Sequence, residues 1–453
     1  MAGSATRGGG RGRRRDERAA AVESRAAQRA RSTASNRREP ARTLVHPEPL
    51  ALPRAHPVTA AQGRRRLVVL VAVTLYVFGL VMVASASSGE LLLQDIDQWA
   101  LLKRQAIFGV VGLGAMWVTM RIPLELVRRS ARPMVWFCVL LVVAVMVPGL
   151  GHSANGATRW INLGFFQLQP SEPLKLAVCA LVAAHLARVA PPRHWMNDFL
   201  RSPGGAALAL AGALVALQSD LGSGLIVGGV TIVLYVLAGT RWRVLWRVIG
   251  PGIALVALSI LTEEFRRERF IAFLDPWAHP VGTGYQLVQA LLAIGSGGPF
   301  GVGLGHSVQK LTFLPEAHTD MIFAIIVEEL GLIGVTLVIG SFAVLAAVGA
   351  RIAIRARTRF SALLAAGITA MVVGQAIINL CGVTGLMPLT GIPLPLISYG
   401  GSSLIITLAA LGLLANVATE RRPSRAVIAH EAAAMRAMED DDVLEFDDDF
   451  DLD

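Results

Sequence analysis

The chain is expected to be an all-α polytopic membrane protein of about ten transmembrane helices, with a large outer loop between the seventh and eighth. Three observations carry that expectation. Hydrophobic residues make up 54% of the sequence and charged residues 16%, and mean hydropathy is +0.56, whereas soluble domains carry about a quarter charged residues. Apolar runs of roughly the 17–25 residues that a bilayer crossing needs recur along the chain. Arginine is concentrated in alternate connections between those runs.

Residues 1–66 come first, with 16 Arg against 5 acidic residues. They are rich in Gly, Ala, Ser and Pro and lack apolar periodicity. A disordered cytoplasmic tail drawn to anionic headgroups is expected there. Nucleic acid is set aside as its partner because the arm abuts a membrane span, and a signal peptide is excluded because the whole polar arm precedes the first apolar run. Candidate spans then fall near 67–87, 106–120, 134–150, 173–189, 204–219, 221–240, 243–262, 321–350, 360–382 and 400–418, forming a body over 67–418. No repeat between halves is visible, so inverted-repeat transporter architecture gains no support. Cys138, Cys179 and Cys381 lie in apolar runs without CxxC spacing and read as small core residues.

Arg64–Arg66, the arginines after the second, fourth, sixth and eighth spans, and Arg421, Arg422 and Arg425 after the tenth place both termini and the even-numbered connections in the cytoplasm. Segments 151–172 and 263–320 are then outside, with Arg266, Arg267 and Arg269 as an outward exception. Residues 419–453 form a C-terminal tail whose last 15 residues hold 10 acidic and no basic side chains. Leu444, Phe446, Phe450 and Leu452 punctuate that charge, a pattern suited to docking a basic segment of another protein.

The outer segments carry unusual polarity. "FLPEAHTDMIFAIIVEELGLIGV" brings Glu316, His318 and Asp320 to the mouth of the eighth span and Glu328 and Glu329 just inside it. Asp320 fits either a helix N-cap or a general base acting on a lipid-linked substrate. Glu316 and His318 are placed to orient it or to bind a cation, although loop polarity explains them equally. Glu328 and Glu329 would sit near the outer boundary or, if deeper, need partners facing the bundle interior. In "NGATRWINLGFFQLQPSEPLK", Arg159 and Lys175 suit phosphate oxygens as fork and point charge. The alternative there is a local Glu172–Lys175 ion pair with Ser171 as a cap. Asp220 in "LQSDLGSG" is again either cap or functional group. The helical spacing of Tyr285–Ile294 suggests a helix on or in the interface, and "GLMPLTGIPLPLISYGGSSL" reads as irregular backbone lining a cavity. A lipid-anchored anion reached from outside suits this set. Transport of the same anion would use similar residues, but the clustering on one side favours an enzyme.

These segments resemble the SEDS family (shape, elongation, division and sporulation), polytopic bacterial glycosyltransferases that polymerise lipid II. The resemblance covers about 67–418 and rests on "NGATRWINLG…QPSE..K", "QSDLG", "DPW..P.G.GYQ..Q.L.AIGSGG", "LPEAHTD" and "PLISYGGSS". "PEAHTD" and "GLGHSVQK" are more similar to the division branch than to the elongation branch; sporulation members look much like the division type. The resemblance implies Asp320 as general base. It implies Arg159, Lys175, Glu172, Asp220, His318, Glu328 and Glu329 as substrate-site residues. It also implies a class B penicillin-binding protein transpeptidase as partner, other division proteins, for which the acidic tail offers a docking segment, and a plasma-membrane location at the septum. A divalent cation, Mg or Mn, would ride on the substrate diphosphate, since no ligand cluster is visible in the sequence. Pro173 in "PSEPLK" and Thr390 in "PLTG", where some relatives have PTKG, depart from the family pattern.

Overall fold

A backbone crossing hydrocarbon has to satisfy its own polar groups, and each apolar run accordingly closes into a helix. The computed structural model describes residues 57–420 apart from 94–96, 148–149, 155–156, 163, 165–166, 190–191, 193–197, 219 and 312. Both tails beyond this range, with their expected disorder and docking roles, lie outside the described residues.

Ten longer helices match the ten expected spans: α1 (Pro57–Leu93), α2 (Ala100–Thr119), α3 (Leu124–Ala144), α4 (Ser171–Leu186), α5 (Pro203–Gln218), α6 (Leu221–Leu237), α7 (Trp242–Thr262), α10 (Ile322–Ile354), α11 (Arg359–Val383) and α12 (Gly401–Ala418). Six of them, α1, α2, α7, α10, α11 and α12, are long and apolar enough to cross a membrane by length and composition. The 263–320 segment contributes α8 (Glu264–Leu274), a single 3₁₀ turn at Pro276–Ala278, and α9 (Tyr285–Gly297). Only α9 was legible as a helix in advance.

The all-helical expectation misses one feature. Between α3 and α4 the chain forms an antiparallel sheet of β1 (Gly151–Ala154), β2 (Ala157–Asn162) and β3 (Gln167–Leu168), in the order β1-β2-β3. Ile161 pairs with both Gly151 and Leu168. The run Thr158–Trp160–Ile161 favours strand through its β-branched and aromatic residues, and this short stretch had been read only as a loop.

Helices α4, α11 and α12 form the centre of the bundle. Nearly every residue of α4 is buried, whereas Trp242, Trp246, Ile253, Leu258 and Leu261 of α7 are exposed, as lipid-facing residues are. Helix α10 is broken rather than continuous. At Gly331 φ is +58°, a conformation that costs an L side chain about 1 kcal/mol or more. The loop before it fills the break: Val302 and Gly303 donate to the carbonyls of Glu328 and Glu329 (2.9 and 3.0 Å), and Leu332 donates to Pro299 O (3.0 Å). Met321–Glu329 is buried throughout, while Leu332 and Ile333 just past the break are exposed.

Candidate active site

The polar segments singled out in the sequence meet at one end of the bundle. Ser402 at the start of α12 donates to Gln167 O (2.8 Å) and accepts from Gln169 N (3.1 Å). Tyr399 N donates to His318 O (2.9 Å), and Asn379 near the end of α11 donates to Asp320 O (2.7 Å). At the opposite end, Asn416 of α12 donates to Thr119 O and Ile122 O (2.9 and 2.7 Å), and Ser361 of α11 donates to Glu420 (2.9 Å). The odd-numbered connections thus share one end and the even-numbered ones the other, as the arginine pattern requires.

Asp320 is not the cap of α10. The capping position is Met321 and no side chain caps it, so the carboxylate is left for another use. It lines a pocket of about 10 Å³ with Met321, Ile378, Asn379, Gly382, Val383, Leu389, Thr390, Gly391 and Ile392. Gly391 (φ +68°) closes the pocket, and a Cβ added there would lie 4.0 Å from Asp320 Oδ2. Burial, reinforced by the neighbouring Glu316 charge, pushes the Asp320 carboxyl from 3.8 up to about 7, against the opposing pull of Arg269 and the Thr319 hydroxyl. Thr319 Oγ1 lies 2.8 Å from Glu316 Oε2 and 3.4 Å from Asp320 Oδ1. Glu316 itself holds φ +56°; such strain in non-glycine residues concentrates at functional sites. His318 stacks edge-on against Tyr399 with ring centroids 5.7 Å apart.

Arg269, one of the outward arginines that broke the charge pattern, belongs here. It lines an adjoining cavity of about 230 Å³ with Phe273, Tyr285, Gln286, Pro315 and Leu389. Leu389 is common to this cavity and the Asp320 pocket. Burial lowers the Arg269 guanidinium from its ordinary value, Asp320 counters that shift, and Arg159 adds to it. Arg269 therefore stands within electrostatic reach of both the carboxylate and Arg159.

The second group of candidates is more enclosed. Lys175 Nζ donates to Glu172 Oε1 and to Gln375 Oε1, each at 2.9 Å, and both members of the ion pair are buried. Asp220 caps α6, accepting from Ser223 N at 3.0 Å. It also accepts from Ser171 Oγ (3.1 Å), so Ser171 holds Asp220 rather than capping its own helix. Arg159 Nε donates to Gln218 O (3.1 Å) in the turn that Asp220 closes. The local ion pair and the Asp220 cap are thus both present, and Lys175 points into protein rather than onto an open surface.

Glu328 and Glu329 are not at the mouth of the pocket. Glu329 accepts from Ser85 of α1 (2.7 Å) and from Lys310 Nζ (2.9 Å). Glu328 accepts from Ser307 Oγ and from Val308 N (3.0 Å). Both carboxylates are buried, as is Lys310. They tie α1, α10 and the 298–310 loop together, in keeping with the expectation that such groups within a span find partners.

Two residues escaped the sequence reading. Gln375 and Asn379 lie one turn apart on α11, on one face. Gln375 holds Lys175 and donates to Pro393 O (3.1 Å), while Asn379 donates to Asp320 O and to Ile392 O (2.8 Å). This face joins the Lys175 cluster to the Asp320 pocket. The signal was available: two amides at i, i+4 in an otherwise apolar span need polar partners. Among the described residues no group of three or more His, Cys, Asp or Glu side chains is arranged around one point.

Fold and site together define a polytopic membrane protein with a carboxyl of raised pKa within electrostatic reach of a guanidinium at one end of its bundle. The chain belongs to the FtsW/RodA/SpoVE family of cell cycle proteins, whose family model matches residues 65–423. It is 42% identical over 356 residues to the probable peptidoglycan glycosyltransferase FtsW of Geobacter metallireducens, covering 79% of this chain and 95% of that protein. It is 40% identical to stage V sporulation protein E of Bacillus subtilis, covering 79% and 97%. Among solved structures it resembles a chain of a peptidoglycan synthase complex that coordinates polymerization and crosslinking, at 30% identity and TM-score 0.66, covering 78% of this chain and 97% of that one. It also resembles the rod shape determining protein RodA of Thermus thermophilus, at 29% identity and TM-score 0.57, covering 79% and 97%.

Proposed function

We propose that the protein is a peptidoglycan glycosyltransferase that polymerises lipid II on the outer face of the bacterial plasma membrane during division. The observation that carries this reading is a carboxyl pushed up to about 7 in a pocket beside a guanidinium, since a base works best when its pKa lies near the working pH. Asp320 takes the proton of the acceptor sugar hydroxyl. That oxygen attacks the anomeric carbon of the donor, and the bond to the lipid diphosphate breaks as the new glycosidic bond forms. The diphosphate leaves with the bonding electrons, and Arg269, within electrostatic reach of Asp320, together with Arg159, within reach of Arg269, can meet its growing charge. Lys175, Glu172, Asp220, Glu328 and Glu329 keep those groups in place. A Mg or Mn ion in the reaction would arrive on the diphosphate.

Sidedness, with both termini in the cytoplasm, follows from the arginine-rich end of the bundle. A class B penicillin-binding protein as partner gains support from the likeness to a synthase complex, and recruitment to the septum from the FtsW relatives. The test is polymerisation of fluorescent lipid II by the purified full chain with a partner transpeptidase, read as a glycan ladder. Wild-type protein should form chains and Asp320→Ala should form none. A wild-type protein that moved lipid II across vesicles without joining it would overturn the proposal in favour of transport.

A further inference from the structure

We infer that Asn379 is a binding residue for the acceptor sugar, accepting a hydrogen bond from the hydroxyl next to the one that Asp320 deprotonates. The inference rests on the glycosyl-transfer reading above and adds a contact to it. Asn379 is 4% exposed. Its Nδ2 donates to two carbonyls, Asp320 O at 2.7 Å and Ile392 O at 2.8 Å. An amide turned the other way would set its oxygen against both carbonyls, so the orientation of the group is fixed. Its Oδ1 is buried and accepts no hydrogen bond within the protein, and such a group costs free energy unless a donor reaches it.

The surroundings narrow the donor. Asn379 and Asp320 line the same pocket, whose other side chains are apolar except for Thr390, and Thr390 makes no hydrogen bond to Oδ1. An ionised Asp320 can only accept. The space of about 10 Å³ excludes a whole sugar ring, so a substrate reaches these groups only through its hydroxyls. The nucleophilic hydroxyl has a single proton, and Asp320 takes it, so Oδ1 requires a different donor held at a fixed offset. A hydroxyl on the adjacent ring carbon of a hexose supplies one. Gripped at two neighbouring oxygens, the sugar ring cannot rotate its nucleophile away from the base.

The experiment pairs a deletion in the protein with a deletion in the acceptor. Full-length protein with its partner transpeptidase receives ordinary lipid II as donor and a short-chain lipid II analogue as acceptor, either intact or lacking the hydroxyl beside the nucleophilic one. Wild type should prefer the intact acceptor by about tenfold in kcat/KM, and Asn379→Ala should lower that preference to within about threefold. The preference is a ratio within one preparation, so partial misfolding does not affect it. A wild type indifferent to the missing hydroxyl, or a preference that survives in Asn379→Ala, would overturn the inference and assign Oδ1 to solvent. If Asn379→Ala makes no polymer, the thermal shifts produced by the two acceptors are compared instead. Wild type should distinguish them and the variant should not; equal discrimination by both proteins overturns the inference. Failure of wild type to polymerise intact substrate would instead count against the glycosyl-transfer reading itself.

Discussion

Replacing Asp320 by Asn should abolish polymerisation and at the same time make the protein more stable at pH 8. The folded carboxyl titrates near 7 rather than 3.8, with burial as the main cause. An unfolded chain loses that proton near its ordinary value, so between the two values the folded state holds a proton that the unfolded state has released. Stability is therefore full below about pH 4 and falls as pH rises to about 7. The displacement corresponds to roughly 4 kcal/mol as an upper bound. Because the side chain retains some solvent contact, screening should leave about 1–2 kcal/mol of it. The neutral amide of Asn avoids this cost. Thermal melts in detergent should show Asp320→Asn a few degrees above wild type at pH 8 and level with it at about pH 4, while its glycan synthesis falls by about 10²–10⁴. Equal melting temperatures at both pH values would refute the argument that Asp320 is desolvated, whatever the activity showed.

The same electrostatics predict opposite shifts for its neighbours. Removing the like charge in Glu316→Gln should move the acidic limb of the kcat/KM profile below about 7, and removing the cation in Arg269→Gln should move it above; shifts of the same sign would break the assignment. Lys310→Ala would strand the buried Glu329 carboxylate, at a cost of about 3–5 kcal/mol. Its melting temperature should drop sharply, and a second change, Glu329→Gln, should recover part of it. Val281 is 90% exposed, so Val281→Cys should react with an impermeant thiol reagent on intact cells, whereas Ser130→Cys should not; reversed labelling would place the site in the cytoplasm.

The spans, and the gathering of alternate connections at one end of the bundle, were legible because hydrocarbon thickness and the arginine pattern each act on the chain locally. The choice between cap and functional group was not. Asp220 and Asp320 both stand where a loop enters a helix, and sequence gives them equal claim to either role. Only the packed structure shows that Asp220 spends its carboxylate on Ser223 N and Ser171, whereas helix α10 is capped at Met321 and leaves Asp320 in a pocket. For Glu328 and Glu329 the sequence leaves open a place near the outer boundary or a deeper one with partners, because the span is longer than the hydrocarbon core. The break at Gly331, stitched to the 298–303 loop through backbone bonds, follows from contacts far apart in sequence. The β-sheet escaped notice because its strands are short. Gln375 and Asn379 carry no charge to mark them in the sequence, although an amide within a span needs partners just as a carboxylate does.

The buried ion pairs and the strained residues have a common rationale. A carboxylate desolvated enough to act as a base near neutral pH does not stay so unless its surroundings resist rearranging to let water in. Asp320 follows a loop with a left-handed Glu316 and precedes a half-helix that is wholly buried. Glu329, Lys310 and Ser85 fix the far end of that half-helix to α1, and Asn379 fixes its near end to α11. Lys175 and Gln375 hold α4 to the same face of α11. Buried ion pairs add little net stability compared with apolar packing, so stability alone does not explain three charged and two amide side chains along this path. Their directional bonds instead fix the half-helix in one register, and that register holds Asp320 in its largely desolvated pocket, within electrostatic reach of Arg269.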